Sequence, residues 1–334
     1  MRLTNEENYS LSVAVWLASD SYQHAPVKGP YFSATGLLKP IRMIVLDKRV
    51  KALQMDSGDD VMDISRNVPS RLGTAIHSGI EEAWKGNYKT ALHALGYLPE
   101  TINRIKVNPD PNEILKSDIP VYMEKRAYKK VGSYTVGGMF DFVGNGILED
   151  FKSMGVYGYM RGDKDEEHIL QGSIYRWLNP EIITSNHMLI QQIFTDWSKL
   201  QASIRKKSGY PQQRILTKKL ELMPLQETDK WVNERICLIE SLMDSPEQDL
   251  PPCTQKELWQ GNTVYKYFKD PNKTKRATRN YDSYLEAHTH LIKDGSVGVI
   301  QEFHKKVKRC GYCNAFDLCK QKDVYIEQGI LQMP

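Results

Sequence analysis

The chain lacks any hydrophobic run suited to a bilayer. Its longest apolar stretch near the N-terminus, Leu11 to Ala18, is interrupted by Ser12, whereas a spanning helix needs about 20 apolar residues. No basic segment followed by an apolar core and a small-residue cleavage site opens it, so a cytoplasmic protein with no membrane partner is expected. There is no internal repeat. Cysteine is scarce, at five residues, too few and too unevenly placed for a disulfide ladder. A surplus of one charge is also missing: the net charge is +4, which alone does not argue for nucleic acid. What remains is an ordinary soluble composition. At 334 residues the chain can form two average domains, or one α/β core with large elaborations.

The informative segment is GGMFDFVGNGILEDFKS, residues 137–153. Asn-Gly is a strong signal for a two-residue type I′ hairpin, because both central residues need positive φ. A turn at Asn145-Gly146 makes partners of residues whose numbers sum to 291. Asp141 and Asp150 then face each other, with β-carbons roughly 4.5–5.5 Å apart. Carboxylates that close repel unless a cation lies between them, so a divalent metal is expected. Lys152 shares the face of Asp150, while Glu149 points away with Phe140, Phe142 and Phe151, because side chains alternate along a strand.

Residues 1–65 read as helical and irregular, broken at Gly29-Pro30 and Lys39-Pro40. Residues 70–87 form an amphipathic helix with Ile76, Ile80 and Ala83-Trp84 on one stripe, ended by Gly86-Asn87. Strands are expected near 119–128, 133–143 and 146–153, then a helix from about Glu166 to Trp177 stopped by Asn179-Pro180, then a strand in SNHMLIQQIFTDW. This order predicts an α/β fold: a small mixed sheet flanked by helices, with a helical N-terminal region (1–69), a core (70–200) and a charged, helical region ending in cysteines (201–334). Basic residues bunch at Arg205-Lys206-Lys207, Arg214, Lys218-Lys219, Lys266 to Arg279 and Lys305 to Arg309, with Tyr265, Tyr267, Phe268, Tyr281 and Tyr284 interleaved. Any one cluster is ordinary solvated surface; together they suit a phosphate backbone with stacked bases.

His77 lies on the 70–87 helix. A lone helical histidine is commonly a surface or core residue, but imidazole beside carboxylates suits Mn²⁺, and carboxylates suit Mg²⁺. Lys152 is either a solvated strand lysine or a cation placed to orient an attacking water and to stabilise phosphate charge. Gln171 and Tyr175, spaced i, i+4, share a helix face. They serve either packing or hydrogen bonding to a nucleic-acid backbone.

The series GTAIH (73–77), GGMFDF (137–142), LEDFKS (148–153) and QGSIY (171–175) resembles the RecB-type branch of the PD-(D/E)xK nuclease superfamily. The resemblance implies a restriction-endonuclease-like core with His77, Asp141, Asp150 and the Phe151 carbonyl as Mg²⁺ or Mn²⁺ ligands. It also implies Lys152 as catalytic lysine and Gln171 and Tyr175 as the accessory motif. The departure is Asp150 where Glu is commoner. By the same resemblance the activity is metal-dependent DNA cleavage, exonucleolytic at single- or double-stranded ends, in end processing or recombination with recombination or replication proteins as partners. The other function classes are an inactive nuclease-fold DNA-binding module and a zinc-stabilised RNA-processing protein.

Cys310, Cys313 and Cys319 form a C-x-x-C pair and a third cysteine near the C-terminus, which is metal-ligand spacing. Cys253, after Pro251-Pro252, is the better fourth ligand. Cys237 lies in an apolar helical pattern and is expected to be a small buried hydrophobe. Spacing alone does not separate four-cysteine zinc from an iron–sulfur cluster. One remote cysteine plus a C-terminal trio is similar to the [4Fe-4S] nucleases of the AddB type, CRISPR-associated RecB-like nucleases and related phage exonucleases. Here Cys253 follows the core instead of preceding it as in the AddB type. The phage proteins, which implies a host-cell cytoplasm, are the nearer likeness, also through FSATGLLKPIRMIVLDKR.

Overall fold

In a computed structural model, the structure describes residues 2–19, 27–54, 61–161, 164–273 and 275–333. The chain divides into two compact units: Met1–Leu38 with Gly58–Leu238, and Lys39–Ser57 with Ile239–Pro334. No helix among the described residues is long and apolar enough to cross a membrane.

The first unit holds strands β1 (Arg2–Thr4), β2 (Tyr31–Ser33), β3 (Val61–Asp63), β4 (Ile105–Val107), β5 (Ile119–Val131), β6 (Tyr134–Gly144), β7 (Ile147–Met154), β8 (His187–Phe194) and β9 (Ile215–Glu221). β1 and β3 pair in parallel as a separate ribbon. The others form a seven-stranded sheet in the order β4-β5-β6-β7-β8-β9, with β2 added alongside β6. It is mixed: β4–β5, β7–β8 and β2–β6 are parallel, and the rest antiparallel. The expected α/β core, a mixed sheet flanked by helices, is present. Phe140, Val143, Leu148, Ile174, Ile183, Ile190 and Val136 are almost wholly buried, each such side chain contributing roughly 1.5–3 kcal/mol.

The Asn145-Gly146 turn is as expected, with φ of 49° and 83°. The β6–β7 partners are Phe142↔Glu149, Val143↔Leu148 and Gly144↔Ile147, all summing to 291. That ladder ends one step short of Asp141 and Asp150, so the two acids are not paired as expected. β7 leaves β6 there and pairs in parallel with β8 along its whole remaining length. Farther down, the same edge of β6 pairs with β2 at Thr135–Gly137. Residues 138–141 therefore lie in a gap between β7 and β2.

The helix Val68–Gly86 is ended by Asn87, and its Trp84 packs on Phe142 with ring centroids 5.1 Å apart. The helix Asp165–Leu178 buries Gln171, Ile174, Tyr175 and Trp177. Tyr175 approaches β6 where the strand has glycine: a β-carbon at Gly138 would come within 2.8 Å of the tyrosine ring.

Two expectations need correction. Residues 201–334 are not simply helical, since β9 belongs to the core sheet. Its exposed and inward residues alternate through ILTKKLE, a period-two pattern that the lysines disguise. Cys237 is exposed although Val232 and Ile236 on the same helix are buried. One residue past Ile236 turns a side chain by a quarter-turn or more, off the buried stripe.

The second unit contains an antiparallel sheet ordered β11 (Arg279–Tyr281), β10 (Val264–Phe268), β12 (Val299–Phe303). The helix Tyr284–Lys293 covers it, His290 lying against Tyr267 and Tyr281. The helix Ile41–Gln54 also belongs to this unit, although some 200 residues of sequence separate it from the rest.

Candidate active site and cysteine cavity

A cleft of about 770 Å³ opens in the first unit, lined by His77, Glu124, Asp141, Asp150, Lys152, Gln171 and Tyr175. The gap in the sheet creates it. Asp141 sits where β6 is unpaired, and its Oδ2 accepts a 2.9 Å hydrogen bond from the Phe151 amide. This replaces the missing ladder bond, as a buried amide requires. The helix Val68–Gly86 delivers His77 from the other side. Its Nδ1 is 3.5 Å from Asp141 Oδ1, and its Nε2 is 3.0 Å from the Phe151 carbonyl oxygen. The bond to Asp141 raises the imidazole pKa, against the opposing effect of burial.

Asp150 is 1% exposed. Lys152 Nζ lies 3.0 Å from its Oδ1 and 2.8 Å from its Oδ2, but only the Oδ1 contact has hydrogen-bond geometry, leaving Oδ2 buried without a hydrogen bond. Burial pushes the Asp150 carboxyl up to about 6, with Lys152 opposing and Asp141 adding to the rise. Glu149 points elsewhere and accepts from Gln191 at 2.7 Å. Gln171 joins the group: its Nε2 donates to Tyr175 Oη at 2.9 Å and reaches Asp150 Oδ1 at 3.5 Å, while Lys152 reaches its Oε1 at 3.5 Å. His77, Asp141, Asp150, the Phe151 carbonyl, Lys152, Gln171 and Tyr175 thus come together.

Glu124 is the residue that sequence reasoning missed. In the β5–β6 register, where partners sum to 265, it falls opposite Asp141, and the ladder skips that one pair. Its φ is 49°, a conformation glutamate rarely adopts. Donor atoms of His77, Glu124 and Asp141 all lie within 4.8 Å of one another. Burial, then Asp141, pushes the Glu124 carboxyl up to about 7. Glu124, Asp141 and Asp150 therefore form a row across β5, β6 and β7, with backbone pairing interrupted on both sides of Asp141. The signal was present in the sequence: Gly132-Ser133 is a second two-residue turn, and its register places Glu124 beside Asp141. The buried, unsatisfied Asp150 oxygen and the elevated acids mark a site short of positive charge, which fits a divalent cation held by oxygen and imidazole donors.

In the second unit Cys253, Cys310, Cys313 and Cys319 line one cavity. Gln321 secures Cys253 from both sides, accepting from its amide at 2.9 Å and donating to its carbonyl at 3.0 Å. Burial, then Glu257 and the other three cysteines, pushes the Cys253 thiol up to about 12. Burial, then Cys319 and Cys313, pushes Cys310 up to about 11. Four thiols that disfavour one another's ionisation are a fitting donor set for a cationic metal group, which removes their protons on binding.

No family model matches the chain, and no curated protein does. Among solved structures it is similar to SSO0001, at 17% identity and a TM-score of 0.37, over 67% of this chain and 81% of that one. It is also similar to a phage related exonuclease from Haemophilus somnus 129PT, at 14% identity and a TM-score of 0.25, over 37% of this chain and 60% of that one.

Proposed function

We propose that this chain is a divalent-metal-dependent DNA nuclease of the PD-(D/E)xK type, acting on DNA ends. The carrying observation is the grouping of Asp141, Asp150, the Phe151 carbonyl and Lys152 with His77 at one gap in the sheet. His77, Glu124, Asp141, Asp150 and the Phe151 carbonyl are the groups that would hold Mg²⁺ or Mn²⁺. Bound there, the cation supplies Lewis-acid polarisation of a phosphate oxygen and a water of lowered pKa. Lys152, fixed by Asp150 and Gln171, presents its ammonium to the cleft, where it orients the nucleophilic water and offsets charge growing on the phosphate. Gln171 holds Asp150 and Lys152 in register through its amide, and Tyr175 holds Gln171. Burial keeps water from competing for these contacts, which strengthens them.

At the cysteines, four thiols around one cavity fit a [4Fe-4S] cluster, with zinc as the alternative. Its role is structural: joining Cys253 to the C-terminal trio closes a loop of more than fifty residues, whose entropy cost grows slowly with length.

The test is digestion of 5′- and 3′-labelled single- and double-stranded DNA with Mg²⁺ or Mn²⁺, by wild type and Asp150→Ala. Metal-dependent release of nucleotides from ends by wild type alone is expected. Cleavage at equal rates by the variant would overturn the assignment. A brown anaerobic preparation with visible absorption is expected for the cluster, and a colourless one with stoichiometric zinc would replace it.

A further inference from the structure

The helix Ile41–Gln54 carries a cation to the cysteine cavity. Arg42 is 6% exposed and lines the cavity together with the four cysteines. Its Nη1 donates to the Leu250 carbonyl at 2.7 Å. Its Nη2 donates to the Glu247 carbonyl at 3.2 Å and pairs with the Glu247 carboxylate. Its Nε is buried with no hydrogen-bond partner.

A buried, unused N–H on a cation is unfavourable unless something comes to accept it. Four thiolates around zinc leave two negative charges on the assembly, and so do four thiolates around an oxidised [4Fe-4S] cluster. Either assembly, in a dry cavity, needs a nearby cation and donors to its sulfurs. Arg42 offers both, and the Glu247 carboxylate pairs with the arginine when the thiols are neutral.

We propose that Arg42 is the counter-charge and hydrogen-bond donor of the metal–thiolate assembly at Cys253, Cys310, Cys313 and Cys319, and so governs how firmly it is held. The inference rests on the reading that these cysteines bind a metal group. It makes Arg42 a positioning residue, with no part in cleavage.

The test uses the full chain, purified anaerobically as wild type, Arg42→Gln, Arg42→Lys and Glu247→Gln. Iron and zinc content is measured first, then the rate of metal loss to a chelator and, for iron, the midpoint potential. Arg42→Gln is expected to lose metal about tenfold faster and to shift an iron potential downward. Arg42→Lys should fall between it and wild type. Glu247→Gln discriminates charge from scaffolding: removing an anion near the assembly should leave retention undiminished and move the potential upward. Wild-type retention in Arg42→Gln overturns the inference, as does equal acceleration in Glu247→Gln with an equal fall in melting temperature. If Arg42→Gln fails to fold, an unmoved or lowered potential in Glu247→Gln overturns it for iron, and faster loss from Glu247→Gln does so for zinc. A wild type holding neither metal defeats the cysteine reading itself, and the inference with it. Metal retained equally by wild type and Arg42→Gln defeats only the role of Arg42.

Discussion

Asp141 accepts the Phe151 amide at 2.9 Å, so one carboxylate fastens β7 to β6 where the backbone ladder between them has ended. The same side chain faces His77 at 3.5 Å. It therefore has a structural task and an electrostatic one, and substitution can separate them. Asp141→Asn keeps an acceptor oxygen and should unfold within about 0.5 kcal/mol of wild type without metal, whereas Asp141→Ala should lose about 1 kcal/mol. Both should lower metal-dependent cleavage by at least about a hundredfold, because neither supplies an anionic ligand. Urea unfolding and labelled-DNA digestion measure the two effects, and cleavage by Asp141→Asn within tenfold of wild type would contradict the assigned role.

Glu124 extends the row of acids by one strand. If it contributes to cation binding, Glu124→Gln, which preserves shape and removes charge, should weaken Mn²⁺ binding by about tenfold. The loss should show as a higher Mn²⁺ requirement, with the maximal rate largely recovered at saturating metal. Titration calorimetry and a metal-concentration series of rates give both quantities. Unchanged Mn²⁺ affinity would assign Glu124 to packing alone.

The contrast between Asp150 and Glu124 shows what could be read in advance. Asn145-Gly146 carries its backbone conformation in its residue types, so the turn, its register, and the shared side of Asp150 and Lys152 could all be derived locally. The end of the ladder at Phe142 could not, because it depends on β7 pairing with β8 and on β2 joining β6, both contacts between distant segments. The place of Glu124 opposite Asp141 was legible in the Gly132-Ser133 turn register, but its positive φ was not, because that follows from the surrounding sheet and not from any preference of glutamate. Spacing picked out Cys310, Cys313 and Cys319, and a loop position after Pro251-Pro252 picked out Cys253, yet Arg42 lies more than two hundred residues before Cys253, with no local sign of the association. β9 was obscured because a short strand rich in lysine and glutamate matches a charged helical face as well as a strand edge.

His168 gives a prediction about pH. It is 7% exposed, and burial, then Lys152 and Lys164, lowers its pKa to about 4, below the ordinary 6.5. Between those values the unfolded chain binds a proton that the folded chain refuses, so unfolding is favoured as pH falls. The stability from this group is complete above pH 6.5 and is lost as pH drops through 4, with a slope of up to about 1.4 kcal/mol per pH unit. Glu124 and Asp150, whose pKa values are raised, act in the opposite direction, so the difference between wild type and a variant is the useful quantity. Wild type minus His168→Gln should therefore decline from pH 6.5 to 4 in denaturant titrations without metal. A difference that stays level across that range would show that His168 is not held neutral.

Gln171 and Tyr175 test whether the accessory pair works as a unit. Gln171 is the only described residue seen bridging Asp150, Lys152 and Tyr175 by these three contacts, at 3.5, 3.5 and 2.9 Å. The Lys152 ammonium, which only donates, sets which way the amide faces, and the 2.9 Å bond to Tyr175 holds the amide in place. Tyr175→Phe keeps the ring that packs near Gly138 and removes that restraint, so cleavage should fall about three- to tenfold. Gln171→Ala removes the whole bridge and should cost more, chiefly in kcat, because Lys152 and Asp150 lose their alignment without losing their charges. Once Gln171 is gone the tyrosine hydroxyl has no amide left to hold. The double variant should then be little worse than Gln171→Ala, with a coupling of about 1 kcal/mol in the mutant cycle. Independent effects, with the double variant slowed by the product of the single ones, would mean that Tyr175 acts on DNA or on packing and does not act through Gln171.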